Sequence, residues 1–220
     1  MKRLIIYGLG DFAKAMRYYF AKDTTYQVVA FCADTNYISQ DELDGLPVVP
    51  FENVENVYHN DEFTMFVAIG YSRMRARKLM YDKARNKRYE MANYISPLAN
   101  VDPSIVFGMN NVVLQGSQIE PFCTIGDNNI IWSSVNVSHN VQIGSHCFIA
   151  SQSLLGGRVK VGDGCFLGFN CTILPELMLA DETLVGAKSL VVSTTKPFSK
   201  NIGLPSRVVG FHTEEGIVIK

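Results

Sequence analysis

Among the four histidines of this 220-residue chain, His139 has the setting best suited to chemistry. It lies in Asn136-Val137-Ser138-His139-Asn140, a run of short polar residues. An imidazole titrates near pH 6.5, so it can accept a proton at neutral pH and serve as a general base. A second chemical feature opens the chain. Gly8-Leu9-Gly10-Asp11-Phe12-Ala13 has the GxGxxA form of a nucleotide-binding turn. Its glycines let backbone N–H groups approach a phosphate at a helix N-terminus. Asp34 closes the apolar run that follows and is placed to accept hydrogen bonds from a ribose or base. Glycines in such a turn also serve tight strand–helix packing, and Asp11 also suits a helix N-cap.

These residues need elements to hold them, and the two halves of the chain supply different ones. From Ile95 to Lys196 an apolar residue recurs every six positions, in 17 consecutive units. The second slot is Gly at 108, 126, 144, 156, 162, 168 and 186. The third takes Pro97, Pro103, Pro121 and Pro175, and the fifth is mostly small. A helix repeats every 3.6 residues and a half-buried strand every two. Six residues with an inward apolar side chain, a small companion and a proline-tolerant corner make a short flat strand plus a turn. Second-slot glycines are expected to let the chain turn. Stacked coils of such units form a parallel β-solenoid, the hexapeptide repeat of the left-handed β-helix. Cys123, Cys147, Cys165 and Cys171 fall in the small core slot and read as buried small hydrophobes. His139 takes a third slot and points outward from a corner. His146 sits one slot further along the next unit and reads as structural or ligand-adjacent. His59 and His212 lie outside any motif.

Residues 1–92 lack the six-residue frame. They read as strand Arg3–Tyr7, a helix starting near Asp11, a second strand ending at Asp34, a brief "GLPVV" strand, a fourth strand ending at Gly70, and a basic amphipathic helix. That alternation predicts a small α/β Rossmann-like domain, with a second domain over 93–220. The chain has 47% hydrophobic and 19% charged residues and a formal net charge of -1. That balance reads as globular and argues against nucleic acid as a partner. No apolar run is long enough to span a bilayer, and the N-terminus reads as a strand, not a signal peptide. The expected compartment is the cytoplasm, with the five cysteines reduced.

A Rossmann-like domain, then hexapeptide repeats, then the tail "IGLPSRVV" resembles the NeuD/PglD-like family of sugar acyltransferases, which includes nucleotide-aminosugar N-acetyltransferases. The likeness covers essentially the whole chain. It is closest in "VSHNVQIG", "GGRVKVGDGCFLGFNCTILPELMLADETLVGA" and "GLPSRVV". It implies a homotrimer with acetyl-CoA between neighbouring β-helices and a nucleotide-sugar held by the first domain. It places the catalytic histidine at His139, with Asn140 beside it. It places acetyl-CoA contacts at Gly157 and Ala187. It places the nucleotide-sugar pocket at Gly8, Gly10, Asp11, Asp34, Ala68, Ile69, Gly70 and Phe148. No metal is implied. Three positions depart from the family pattern. Asn140 stands where an acidic residue is usual, Asp11 where the glycine turn has a histidine, and Phe148 where a second histidine falls.

The expected reaction is transfer of an acetyl group from acetyl-CoA to the amine of a nucleotide-linked amino-dideoxy sugar, of the 4-amino-4,6-dideoxy type, for surface glycan biosynthesis. His139 would accept the amine proton, and the Gly157 N–H would meet the oxyanion. The alternatives are a sugar O-acetyltransferase, transfer of a larger acyl group, or a non-catalytic scaffold trimer. A γ-type carbonic anhydrase needs three histidine ligands, and the repeat holds two. An NAD-dependent oxidoreductase leaves the solenoid without a role.

Overall fold

A computed structural model of the chain describes residues 2–219. It divides into two compact units, Met1–Gly70 with Leu79–Tyr94, and Tyr71–Lys78 with Ile95–Lys220. The boundary is therefore not a single cut near residue 92, because a short segment from the middle of the chain groups with the repeats.

In the first unit, β1 (Lys2–Tyr7), α1 (Asp11–Asp23) and β2 (Tyr26–Ala33) follow one another, then β3 (Glu42–Leu43), β4 (Leu46–Pro50) and β5 (Phe63–Val67). Helix α2 (Met74–Asn86) precedes β6 (Glu90–Met91). The sheet order is β3-β4-β2-β1-β5-β6. All pairs are parallel except β3–β4. Ile5, Tyr7, Cys32, Met65 and Val67 bury their side chains in one cluster, as expected for strands covered on both faces. Two expected strand ends shift. β2 stops at Ala33, and β5 stops at Val67, so Asp34 and Ala68–Gly70 lie in the loops just beyond.

In the second unit the six-residue frame becomes seventeen two-residue strands, from Tyr94–Ile95 to Leu190–Val191. They stack in three parallel sheets, each strand pairing with the strand three units later. This is the left-handed β-helix expected from the repeat. First-slot residues from Val113 to Val191 form its core, together with the four fifth-slot cysteines. At the open first coil the pattern fails: Ile95 is 37% exposed, because no earlier coil covers it. A hairpin of Ser199–Gly203 and Ser206–Phe211 extends one sheet at the far end.

The turning residue is not the one expected. Positive φ occurs in the fourth slot at every corner from Asn110 to Lys188, with Gly only at 116 and 164. The second-slot glycines have ordinary φ. They are required by stacking, since a Cβ on Gly126 would stand 2.7 Å from the Gly144 carbonyl oxygen one coil on. The small fifth slot also does more than fill space. Ser117, Asn129 and Ser153 donate to the carbonyls of Trp132, Gly144 and Gly168, fifteen residues later. The Cys147 and Cys165 thiols point at Gly162 and Ala180 in the same way. A buried corner carbonyl thereby gains a donor that the sheet ladder does not supply.

Candidate active site

His139 stands at the corner between Asn136–Val137 and Gln142–Ile143, exposed on the single chain. Three contacts fix it. Its backbone N–H donates to Glu120 Oε2 at 2.8 Å. Its carbonyl accepts the Arg158 N–H at 3.0 Å. Its ring Nδ1 lies 3.1 Å from Asn140 Oδ1. An amide oxygen only accepts, so Nδ1 carries the hydrogen and Nε2 keeps its lone pair. The ring lies over Gly157 of the next coil, where a Cβ would approach Cε1 and Nε2 to 2.8 Å. The Gly157 N–H meets no acceptor among the described residues. The acceptor nitrogen of the ring therefore stands against Gly157, a residue with an uncommitted backbone donor.

Not every expected residue gathers there. Ala187 is exposed, but at the corner after Leu184–Val185, on a different edge of the solenoid. Phe148 is 1% exposed. It lies in an aromatic stack with Tyr71, Trp132 and Phe166, ring centroids 4.4, 5.9 and 5.3 Å away. In this chain it is a packing residue on another sheet. His146 is buried, and its Nδ1 lies 3.0 Å from Asn128 Nδ2. The wholly buried Arg77 caps the same corner, donating to the Asn128 and His146 carbonyls. Among the described residues no group of three potential ligands converges as a metal site.

The glycine turn is assembled within the first unit. Gly8 has φ +137°, and a Cβ there would meet the Ala68 carbonyl oxygen at 2.6 Å and Ile69 Cδ1 at 3.5 Å. Its glycine is thus demanded by the chain's own packing. Gly10 and Gly70 have ordinary φ and open space where a Cβ would stand, so packing does not demand them. The helix N-cap is Gly10, with no side-chain cap. Asp11 is the exposed first helical residue, so the N-cap reading of Asp11 does not hold. Its charge still complements the helix N-terminus.

Asp34 lies just past β2 with both oxygens engaged. The Tyr7 hydroxyl donates to one and Lys83 Nζ to the other, the latter at 2.6 Å. Burial pushes the Asp34 carboxyl up, but the Lys83 and Tyr7 hydrogen bonds outweigh it and hold the group below the usual carboxylate range. Phe51, Glu52, Lys83, Asn86 and Lys87 line an open pocket beside it. A carboxylate has about four lone-pair sites, so two donors do not exhaust Asp34.

Comparison with known proteins agrees with both halves. Residues 3–83 match the PglD N-terminal domain. Residues 122–157 and 140–175 match the bacterial transferase hexapeptide. The chain carries the domain pair of the NeuD/PglD-like sugar acyltransferases. PerB of Caulobacter crescentus, solved with CoA and GDP-perosamine, is 29% identical with a TM-score of 0.83, over 96% of this chain and 98% of that one. A histidine-to-asparagine variant of the perosamine N-acetyltransferase from Caulobacter crescentus, also with CoA and GDP-perosamine, is 28% identical with a TM-score of 0.83 over 96% and 98%. The acetyltransferase domain of PglB from Neisseria gonorrhoeae shares the fold, with a TM-score of 0.85 and 21% identity over 95% and 100%. No curated protein sequence matches.

Sequence reasoning missed Tyr7, Lys83 and Glu120. For Glu120 a signal existed. Coils repeat every 18 residues, as in the Asn129–Asn111 contact, so Glu120 stacks against Ser138, directly before His139. Lys83 gave no such signal, because its partner depends on how α2 lies against β2.

Proposed function

We infer that the chain transfers an acetyl group from acetyl-CoA to the amine of a nucleotide-linked amino-dideoxy sugar, of the 4-amino-4,6-dideoxy type, and works as a cytoplasmic homotrimer. The observation that carries this reading is His139 itself. Asn140 holds its Nδ1–H, and the opposite nitrogen faces Gly157. The similarity to structures holding CoA and GDP-perosamine supports both substrates.

In this reading the neutral amine attacks the thioester carbonyl. Nε2 of His139 takes the amine proton as the carbon–nitrogen bond forms. The Gly157 N–H donates to the oxyanion, which then collapses and expels the CoA thiolate. Asn140 orients the ring without adding charge. An amine needs less help from a base than a hydroxyl does, which favours N- over O-acylation. The nucleotide part of the acceptor rests on the Gly8–Gly10 turn, Ala68–Gly70 and Asp34, whose N–H groups and carboxylate suit a diphosphate and a ribose or base.

Thiol release from acetyl-CoA, followed across UDP-, dTDP- and GDP-linked amino sugars, tests the reaction. Turnover with one of them is expected. His139→Ala is expected to lose about 10²–10⁴-fold in kcat with folding intact, and near-wild-type turnover would remove the histidine from the mechanism. Light scattering is expected to give a trimer mass, and a monomer at micromolar concentration would overturn the assembly.

A further inference from the structure

The imidazole that accepts a proton becomes a cation, and its surroundings contain an unassigned counter-charge. Glu120 Oε2 accepts the His139 backbone N–H at 2.8 Å. A backbone nitrogen and its own imidazole are separated by only two carbons, so a carboxylate pinned to one acts on the other through space, without an ion pair to the ring among the described residues. The coil register makes the placement systematic. Glu120 follows Ile119, which pairs with Val137, so the side chain reaches along the stack to the next corner. It is half-buried.

The other groups around His139 do not supply this charge. Asn140, on the same corner, is neutral. Pro121 and Phe122 of the preceding coil and Gly157 of the following one carry none. Arg158, also on the following coil, is turned to Glu176 at 3.0 Å, with both side chains exposed. Asp102, one coil before Glu120, accepts from Ser104 at 2.6 Å.

We propose that Glu120 is a positioning residue of the acyltransfer. It fixes the His139 backbone and stabilises the imidazolium formed when Nε2 takes the amine proton. This rests on His139 being the base. The step stays balanced without Glu120 gaining or losing a proton. The amine proton moves to Nε2, the thiolate departs, and the carboxylate remains ionised throughout. With both substrates bound, water leaves the corner and the fixed charge acts through a lower dielectric.

Glu120→Gln tests it, because the amide oxygen still accepts the N–H while the charge is gone. Without the carboxylate the protonated ring is less favoured. The acid limb of the kcat–pH profile therefore moves to lower pH, and the weaker base lowers plateau kcat by about three- to tenfold. KM for acetyl-CoA stays within about twofold, since the donor site is untouched. Glu120→Gln/Asn140→Asp returns the acid limb upward. A measurement independent of turnover is the ring proton resonance of His139, assigned by its loss in His139→Ala. It is followed against pH with CoA bound in wild type and Glu120→Gln, and it shifts to lower pH in the variant. An unchanged ring titration and an unchanged kcat profile would reduce Glu120 to a backbone anchor and overturn the proposal. Retained turnover in His139→Ala would instead remove the base assignment, leaving the ring titration to decide whether Glu120 acts on His139.

Discussion

The Nδ1 of His139 lies 3.1 Å from the side-chain oxygen of Asn140, its immediate neighbour in sequence. Because Asn140 has φ +59°, the chain doubles back at this residue and brings its amide beside the ring. The pair sets a tautomer without a charge. Asn140→Asp keeps the acceptor and adds a carboxylate. The carboxylate stabilises the protonated ring, whereas the base is active only when neutral. The acid limb of the pH–rate profile is therefore expected to move upward by about one pH unit. Asn140→Ala removes the orienting acceptor and is expected to lower kcat by about tenfold. Initial rates across pH 5 to 9 check both, and a profile unchanged in Asn140→Asp would separate residue 140 from the ring.

Gly157 offers a sharper steric test. A Cβ at this position would stand 2.8 Å from His139 Nε2 and Cε1, well inside contact distance. Gly157→Ala preserves the backbone N–H and is expected to displace the imidazole. A shift of about 1 Å at a reacting group costs on the order of 10²-fold in rate. A kcat loss of that size with normal thermal stability is the expected result.

Much of the solenoid was legible because one constraint repeats. Each first-slot residue faces a narrow core, so the period appears in composition alone. What stayed hidden depends on contacts between coils. The turning residue sits in the fourth slot, where Phe122, Arg158 and Lys188 adopt positive φ without any glycine to advertise it. The second-slot glycines looked like turn residues and are instead stacking residues. At the site, His139 and Asn140 were visible as neighbours in sequence. Glu120 required counting one full coil back, and the Tyr7–Asp34–Lys83 group required the packing of α2. Phe148 was placed in the acceptor pocket by resemblance, yet its ring lies parallel to Phe166 at 5.3 Å, a packing role that spacing alone could not reveal.

The Asp34–Lys83 pair makes two separable predictions. Asp34→Ala is expected to raise KM for the nucleotide-sugar by about tenfold or more, the size of a hydrogen bond to a charged group. KM for acetyl-CoA should remain nearly unchanged, and isothermal calorimetry with free nucleotide should show the same loss. The pair also contributes to stability. Its folded-state carboxyl lies below the ordinary value despite burial. The contribution is therefore present above about pH 4 and is lost as pH falls through the folded-state value. The stability difference between wild type and Asp34→Asn should shrink on acidification through that range. A difference that is constant with pH would show that the ion pair is not what stabilises this corner.

Arg77 tests how the segment Tyr71–Lys78 is tied to the repeats with which it groups. Its guanidinium is 1% exposed, and burial pulls its pKa down to about 10. It donates to the carbonyls of Asn128, His146 and Cys147, which surround fourth-slot residues with φ of 55° and 64°. At these corners the backbone turns away from the sheet, so its carbonyls need other donors. Arg77→Met keeps most of the side-chain length and removes every donor. Leaving buried carbonyls unpaired costs about 1–3 kcal/mol each, partly recovered by relaxation. A net loss of about 2–4 kcal/mol is expected, which lowers Tm by about 5–10 °C in a chain of this size. Arg77→Lys should recover only part of this, because one ammonium cannot span carbonyls from two coils with the fixed fork of a guanidinium. Differential scanning calorimetry at pH 7 decides it. A Tm in Arg77→Met within about 1 °C of wild type would show that the corner carbonyls find other donors, and that the buried charge is not what holds this segment to the solenoid.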